Sequence, residues 1–307
     1  MIKNAVGRYI PESIKGYGNL TPFAGSDAIY PEIKPKASGI IKRKSKDQNK
    51  ILPTLVDAIK ATGLKDGMTI SFHHHFRNGD MVVNQVMDAI ASCGIKNLTL
   101  APSSLTEPHD YIAPYVENRV VTKIITSGLR KKLGDLASNG KIEYPVLFHS
   151  HGGRARRIEE GSTQIDVAFI AAPGCDFLGN INGTDSLTPC GSLGYAHVDA
   201  RNAKYVVAVT NDIKGTPLKR ISIPHYLVDY IVKIDNIGDP KKIGTGATRL
   251  TTNPMDLVLA KISADIIAAS PYFKSNFSFQ TGSGGAALAT TRFLKEHMIK
   301  RGIIAGF

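Results

Sequence analysis

The chain has 307 residues, 42% of them hydrophobic and 21% charged, which suits a globular protein with room for one large domain or two small ones. No apolar stretch reaches the roughly 18 residues that span a bilayer, and the start, Met1-Ile2-Lys3-Asn4-Ala5-Val6-Gly7-Arg8, lacks the apolar core of a signal peptide, so a cytoplasmic protein without membrane contact is expected. The net charge of +12 favours anionic partners, but there is no zinc-finger spacing, no tryptophan and no aromatic-rich RNA-binding strand, so nucleic acid is not expected.

Residues 1–50 read as an arm. They carry Pro11, Pro22, Pro31 and Pro35 and a basic run at Lys34, Lys36, Lys42, Arg43, Lys44, Lys46 and Lys50. No long helix or strand is predicted there, and the arm either wraps a domain or is disordered. A first α/β domain is predicted over 51–250. Ile51, Leu55, Ala58 and Ile59 fit one face of a helix that Gly63 ends. A strand at Met68–Phe72 leads into the polar loop His73–Asp80 and then a helix with Val83, Val86, Met87 and Ile90 on one face. Further strands are predicted at Lys96–Ala101, Val120–Ile125, Ile165–Ala171 and Tyr205–Val209. Strands separated by helices point to a mainly parallel sheet flanked by helices.

A helix at Asp256–Ala269, capped by Asn253 or Thr252 and apolar at Leu257, Ala260, Ile266 and Ile267, bridges to the start of a second similar domain over 251–307. That start repeats the first plan: a strand at Phe277–Gln280, the loop Thr281-Gly282-Ser283-Gly284-Gly285, and a helix to about Met298. The closing run Gly302–Phe307 matches the place where the first domain enters its next strand. Phe277, Phe279, Phe293 and Ile304 are therefore expected to lack a full set of packing partners.

Four segments carry candidate chemistry. In His73-His74-His75, alternation along an extended segment lets only His73 and His75 converge, and no Asp, Glu or Cys lies close in sequence to complete a metal site. Hydrogen bonding to a carboxylate or thioester and plain loop packing stay open, and Asp80 is placed to cap the next helix. In Phe148–Arg157, glycines 152 and 153 beside Arg154, Arg156 and Arg157 make either a cationic turn for carboxylates or a basic helix start. Pro173–Gly183, with Cys175, Asn180 and Asn182, follows a buried strand and is either a ligand loop or a set of turns. Gly282, Gly284 and Gly285 allow close backbone approach, as in an anion or oxyanion loop, a structural turn, or a dinucleotide site. Cys93, Cys175 and Cys190 are odd in number and show no C-x-x-C spacing, so no disulfide framework is expected.

Taken together, the segments Ser71–Asp80, His151–Arg156, Pro173–Asp176 with Gly179–Gly183, and Phe279–Gly285 resemble the citrate lyase α-subunit family, the citrate CoA-transferase component. The resemblance implies a CoA-transferase-like (NagB/RpiA-like) fold of two similar α/β domains. It implies exchange of acetate for citrate on the thioester of an acyl-carrier protein, with no metal and no cofactor bound by this chain. The CoA-like (phosphoribosyl-dephospho-CoA) prosthetic group belongs to the carrier. The implied partners are the β subunit, the acyl-carrier γ subunit, citrate and acetate, in a homo- and hetero-oligomer. The implied site has Gly282, Ser283, Gly284 and Gly285 at the oxyanion, and His73, His75, Arg77, Asn78, Gly79, His151, Gly152, Gly153, Arg154, Asn180 and Asn182 at the substrate. Family members continue for most of a second domain beyond the position of Phe307, and a later Glu-containing segment has no counterpart here. A related transferase for another acid, and a docking fragment of such a complex, are the alternatives.

Overall fold

The computed structural model describes residues 1–25, 49–243, 250–282 and 284–306; the basic run from Lys34 to Lys46 and Ser283 lie outside them. The chain forms two compact units, Met1–Gly244 and Thr245–Phe307, each described by itself. No described helix is long and apolar enough to cross a membrane.

In the first unit eight strands share one sheet: β1 (Ile51–Leu52), β2 (Thr69–Ser71), β3 (Leu98–Leu100), β4 (Val121–Thr126), β5 (Leu147–Phe148), β6 (Val167–Ala171), β7 (Tyr205–Thr210) and β8 (Tyr230–Lys233). Across the sheet the order is β1-β8-β7-β6-β2-β3-β4-β5, and every neighbouring pair is parallel. Side-chain alternation assigns the two faces. Val167, Phe169, Val207 and Val209 pack on one face with Ile59, Val83 and Met87, whereas Ala168, Ile170, Val206 and Ala208 pack on the other with Ile158, Ala196 and Ala200. The first face is covered by α1 (Leu55–Thr62) and α2 (Val82–Ser92); the second by α5 (His151–Glu159) and α6 (Ala196–Asn202), while α3 (Ala113–Glu117), α4 (Lys131–Ser138) and α7 (Pro240–Ile243) complete the unit's α-helices among the described residues. A smaller sheet joins Gly174–Asp176 to Ile181–Asn182 and Ile213–Lys214.

Local signals explain the helix ends. Thr54 accepts from Asp57 N at 3.1 Å at the start of α1, and Gly63 closes it at φ 65°. The Asp80 carboxylate accepts from Val82 N at 2.6 Å and Val83 N at 3.3 Å, capping α2 as its spacing predicts. Ile51 departs from the predicted helix: it sits in β1, paired with Ile231. Lys50 is buried rather than part of a solvated run, and donates from Nζ to the His225 carbonyl at 2.6 Å. Residues 1–25 hold two short antiparallel hairpins, Ile2–Lys3 with Tyr9–Ile10 and Ser13–Ile14 with Gly18–Asn19.

The second unit is a pair of helices, α8 (Pro254–Ala269) and α9 (Gly285–Arg301), meeting through Ala264, Ala268, Phe273 and Leu294. Asn253 caps α8 through Met255 N at 2.9 Å. The alanine stripe 260, 264, 268 is the buried face, and Ile266, one of the apolar positions of this helix, is 67% exposed. No strand forms at 277–280 or at 303–306. Those segments meet through two backbone bonds, Asn276 N to the Ile304 carbonyl at 2.7 Å and Gly306 N to the Phe277 carbonyl at 3.0 Å. A ladder needs more partners than that. Phe277, Phe279 and Phe293 are half-buried against the helix pair, while Ile304 is exposed.

One glycine pair gives a stability test. A Cβ on Gly183 would stand 1.8 Å from the Gly191 carbonyl oxygen, whereas nothing lies within 4 Å of one on Gly152. Gly183→Ala should destabilise the chain by about 1–3 kcal/mol or more in urea melts. Gly152→Ala, in α5, should be neutral or stabilise it by up to about 1 kcal/mol.

Candidate functional site

Because all eight strands are parallel, their carboxyl ends share one edge of the sheet. From β2 the chain moves outward through β3, β4 and β5, then returns to the opposite side of β2 as β6 and continues through β7 to β8. The order reverses between β2 and β6, and a crevice at such a reversal is where open α/β sheets hold ligands. The loop after β2 is the triple histidine; the loops after β3, β4 and β5 bring Ser103, Ser127 and His151.

At the carboxyl end of β2, where the order reverses, lies the buried carboxylate of Asp199, on α6. Arg154 donates to it through both terminal nitrogens, at 2.6 and 2.7 Å, and to the Ala101 carbonyl at 3.2 Å. Ser71 Oγ donates at 2.5 Å, and His73 Nε2 stands 2.9 Å away. Burial by itself would raise the Asp199 pKa; the His73 and Arg154 charges outweigh it and hold the carboxyl well below the usual range. The Arg154 fork is therefore filled from within the chain, in a helix that starts at His151 with Ser150 accepting from Gly153 N at 3.0 Å. This is a helix with a buried arginine, not a flexible cationic turn.

The three histidines do not alternate as on an extended segment, because a 3-10 turn begins at His74. His73 turns inward to Asp199. His75 places Nε2 3.0 Å from the Ala171 carbonyl, which can only accept, so Nε2 carries its proton. The His73 and His75 rings do stack, with centroids 6.0 Å apart, as framework groups. His74, outside the predicted pair, is half-buried, with Nδ1 2.6 Å from Ser103 Oγ and its ring 6.3 Å from that of His151 and 6.0 Å from that of Tyr195. Burial, then the neighbouring charges of His151, His73, Arg154 and Arg77, push the His74 pKa down to about 4; burial and His73 do the same for His75, to about 4.

Arg77 sits at φ 51°, ψ −129°, a backbone state that costs a non-glycine residue about 1–3 kcal/mol and is characteristic of functional loops. Asn78 beside it is half-buried. Gly79 is required by packing: a Cβ there would stand 2.6 Å from the Asp239 carbonyl oxygen. Asn180 and Asn182 are buried and hydrogen-bonded within the chain. Asn180 binds Asp176 Oδ2 at 2.8 Å and His225 N at 2.9 Å; Asn182 binds Asp185 Oδ2 and the Arg220 carbonyl, both at 2.8 Å. They hold turns together. The Cys175 thiol is buried and pushed up to about 12 by that burial and by Asp176, which suits packing rather than nucleophilic attack. Among the described residues no group of three His, Cys, Asp or Glu is arranged for a metal ion.

In the second unit, Gly284 caps α9 without a side-chain bond, and Thr281 Oγ1 donates to the Ala287 carbonyl at 2.9 Å. Nothing lies within 4 Å of a Cβ built on Gly284. The first-turn N–H groups of a 17-residue helix stand at this glycine-rich start.

Residues 48–307 match the family described as citrate lyase, alpha subunit (CitF). The citrate lyase alpha chain of Haemophilus influenzae is 53% identical over 280 residues, 91% of this chain and 55% of that protein. A crystal structure described as the alpha subunit of citrate lyase from Streptococcus mutans, in complex with citrate, is 49% identical. Its TM-score is 0.87 over 99% of this chain and 59% of that one. An acyl-CoA transferase, YdiF, from Escherichia coli O157:H7 is 14% identical at a TM-score of 0.54, covering 89% of this chain and 62% of that one, a likeness of fold alone. The parallel sheet with helices on both faces is thus the CoA-transferase-like architecture that the sequence resemblance implies. The chain spans about half the length of the curated relatives it matches.

His74 and His75 stay neutral in the fold down to about pH 4, whereas in the unfolded chain they take protons below their ordinary 6.5. The unfolded state binds more protons in that window, so stability should fall as pH drops from about 6.5 to about 4, and His75→Asn should flatten that slope in urea melts. Asp199→Ala strands the buried Arg154 charge and should cost about 3–5 kcal/mol, with Arg154→Met recovering part of the loss in the double variant.

Proposed function

The chain belongs to the citrate lyase alpha-subunit family, and on that premise we propose that it takes part in exchanging acetate for citrate on the thioester of an acyl-carrier protein, in the cytoplasm. The observation that carries this reading is the 49% identical relative from Streptococcus mutans, which binds citrate and aligns over 99% of this chain. The strand ends support it: where the sheet order reverses, the His74 ring stands 6.3 Å from that of His151 at the start of α5, and the Arg77 charge acts on His74. Arg77 is the guanidinium assigned to a citrate carboxylate, and Asn78 accompanies it. His73, His75 and Arg154 shape the crevice from beneath.

In the exchange, a citrate carboxylate oxygen attacks the acetyl thioester carbonyl. The carbonyl oxygen takes up the negative charge, the carrier thiolate leaves, and an acetyl–citryl anhydride remains. The thiolate then attacks the citryl carbonyl and acetate departs, so the carrier ends as the citryl thioester. The N–H groups of Gly282, Ser283, Gly284 and Gly285 are assigned to the oxyanion, a kind of stabilisation worth about 2.7–4 kcal/mol per donor. The CoA-like prosthetic group comes with the carrier, the γ subunit, and a β subunit cleaves the citryl thioester in the same complex.

Citrate at about 100 times its Kd should stabilise the chain by about 2.7 kcal/mol in thermal melts, and acetate at the same concentration by much less. Equal shifts with citrate and monocarboxylic acids would overturn the citrate assignment. In exchange assays with the carrier and β subunits, Gly284→Val should slow acetyl-to-citryl turnover by about 10²–10³; an unchanged rate would remove the loop from the chemistry.

A further inference from the structure

We infer that His74 is a neutral hydrogen-bond donor, fixed by the Ser103 hydroxyl with its proton on Nε2, and that it takes a carboxylate oxygen of the acid in the crevice; the second half of this rests on the reading above. The tautomer follows from counting protons around Ser103, which is fully buried. Its backbone is fixed, with N bonded to the Phe72 carbonyl at 3.0 Å and its carbonyl receiving Ser127 N at 3.2 Å. Its Oγ accepts the His74 backbone N–H at 2.9 Å and stands 2.6 Å from His74 Nδ1. If Nδ1 carried the proton, Oγ would accept twice and its own hydrogen would be buried with no acceptor among the described residues, at a penalty typical of a buried unsatisfied donor. With the hydroxyl donating to Nδ1, each of these groups is satisfied and the ring proton is on Nε2.

The other two histidines cannot serve in this way. His73 Nε2 is buried and faces the Asp199 carboxylate at 2.9 Å, and His75 Nε2 is bonded to the Ala171 carbonyl, while His74 Nε2 has no hydrogen bond to the described residues. Around it stand His151, Tyr195, Arg77, and His73 and Arg154, the last two turned to Asp199. That surrounding, together with burial, keeps the imidazole neutral near pH 7. A neutral donor can hold a carboxylate or a developing oxyanion without giving up its proton. The strained Arg77 three residues on adds the charge that the neutral ring lacks.

The test is nitrogen NMR of histidine rings in the full chain at pH 7, with His74→Gln to assign the signal. The expected result is an Nε2–H imidazole that becomes a tautomer mixture in Ser103→Ala and returns in Ser103→Thr. Adding citrate should shift the His74 Nε2–H signal, and His74→Phe should weaken citrate binding by calorimetry at least about tenfold. An Nδ1–H ring or an imidazolium in the native chain would overturn the donor. Citrate binding with an unmoved His74 signal and unchanged affinity in His74→Phe would overturn its carboxylate role. No citrate binding to the native chain would instead overturn the reading of the crevice, and the carboxylate role with it, while the tautomer still decides the donor.

Discussion

One buried carboxylate ties the candidate site to the fold. Asp199 has no access to water, so its charge requires partners inside the protein. They come from three directions: Arg154 on α5, Ser71 at the end of β2, and His73 in the loop that follows. Arg154 also reaches the Ala101 carbonyl just past β3. Strand ends that adjoin in the sheet are thereby pinned to the helices over one face. A hydrophobic cluster could hold those elements together, but it would not fix the first histidine after β2 facing inward. With His73 set, the 3-10 turn that begins at the next residue presents His74 at the crevice. The arrangement illustrates how a buried charge pair, weak as a source of stability, serves as a geometric reference.

The regular core was legible in the sequence, and the reasons are physical. Val167–Ala171 and Tyr205–Thr210 are buried on both faces and read as near-continuous apolar runs. Val83, Val86, Met87 and Ile90 mark one helix face at a spacing that only a helix satisfies. The two-residue strands Ile51–Leu52 and Leu147–Phe148 leave no periodic trace, and Tyr230–Lys233 is too short to separate strand from helix by pattern. In the second unit the strand expected at Phe277–Gln280 depended on neighbours that the described residues do not supply.

The site was legible by segment and not by residue. The triple histidine and the His151–Arg154 stretch do meet at the crevice, but their members have exchanged roles. Alternation selected His73 and His75, and a 3-10 turn, invisible to that rule, made His74 the outward member. Arg154 looked like a surface cation because arginine seldom lies fully buried, and the residue that buries it is 45 positions away, which local pattern cannot reach. Ser103 and Tyr195 carried no signal at all. They matter only because β3 and α6 place them beside the histidines.

The order of strands in the sheet also constrains how the chain is made. Among the described residues the first strand of the sheet to leave the ribosome, β1, pairs only with the last, through Ile51 with Ile231 and Leu52 with Val232. Until β8 has been synthesised, β1 has no strand partner among the described residues. The central strands fare little better, since β2 must wait for β6 on one side. Non-local parallel pairing of this kind slows folding and prolongs the exposure of apolar strands. During synthesis the nascent chain therefore passes through a long interval in which α1 and α2 have formed their apolar faces while half of the sheet they cover does not yet exist. That interval is where a chaperone would have the most to shield.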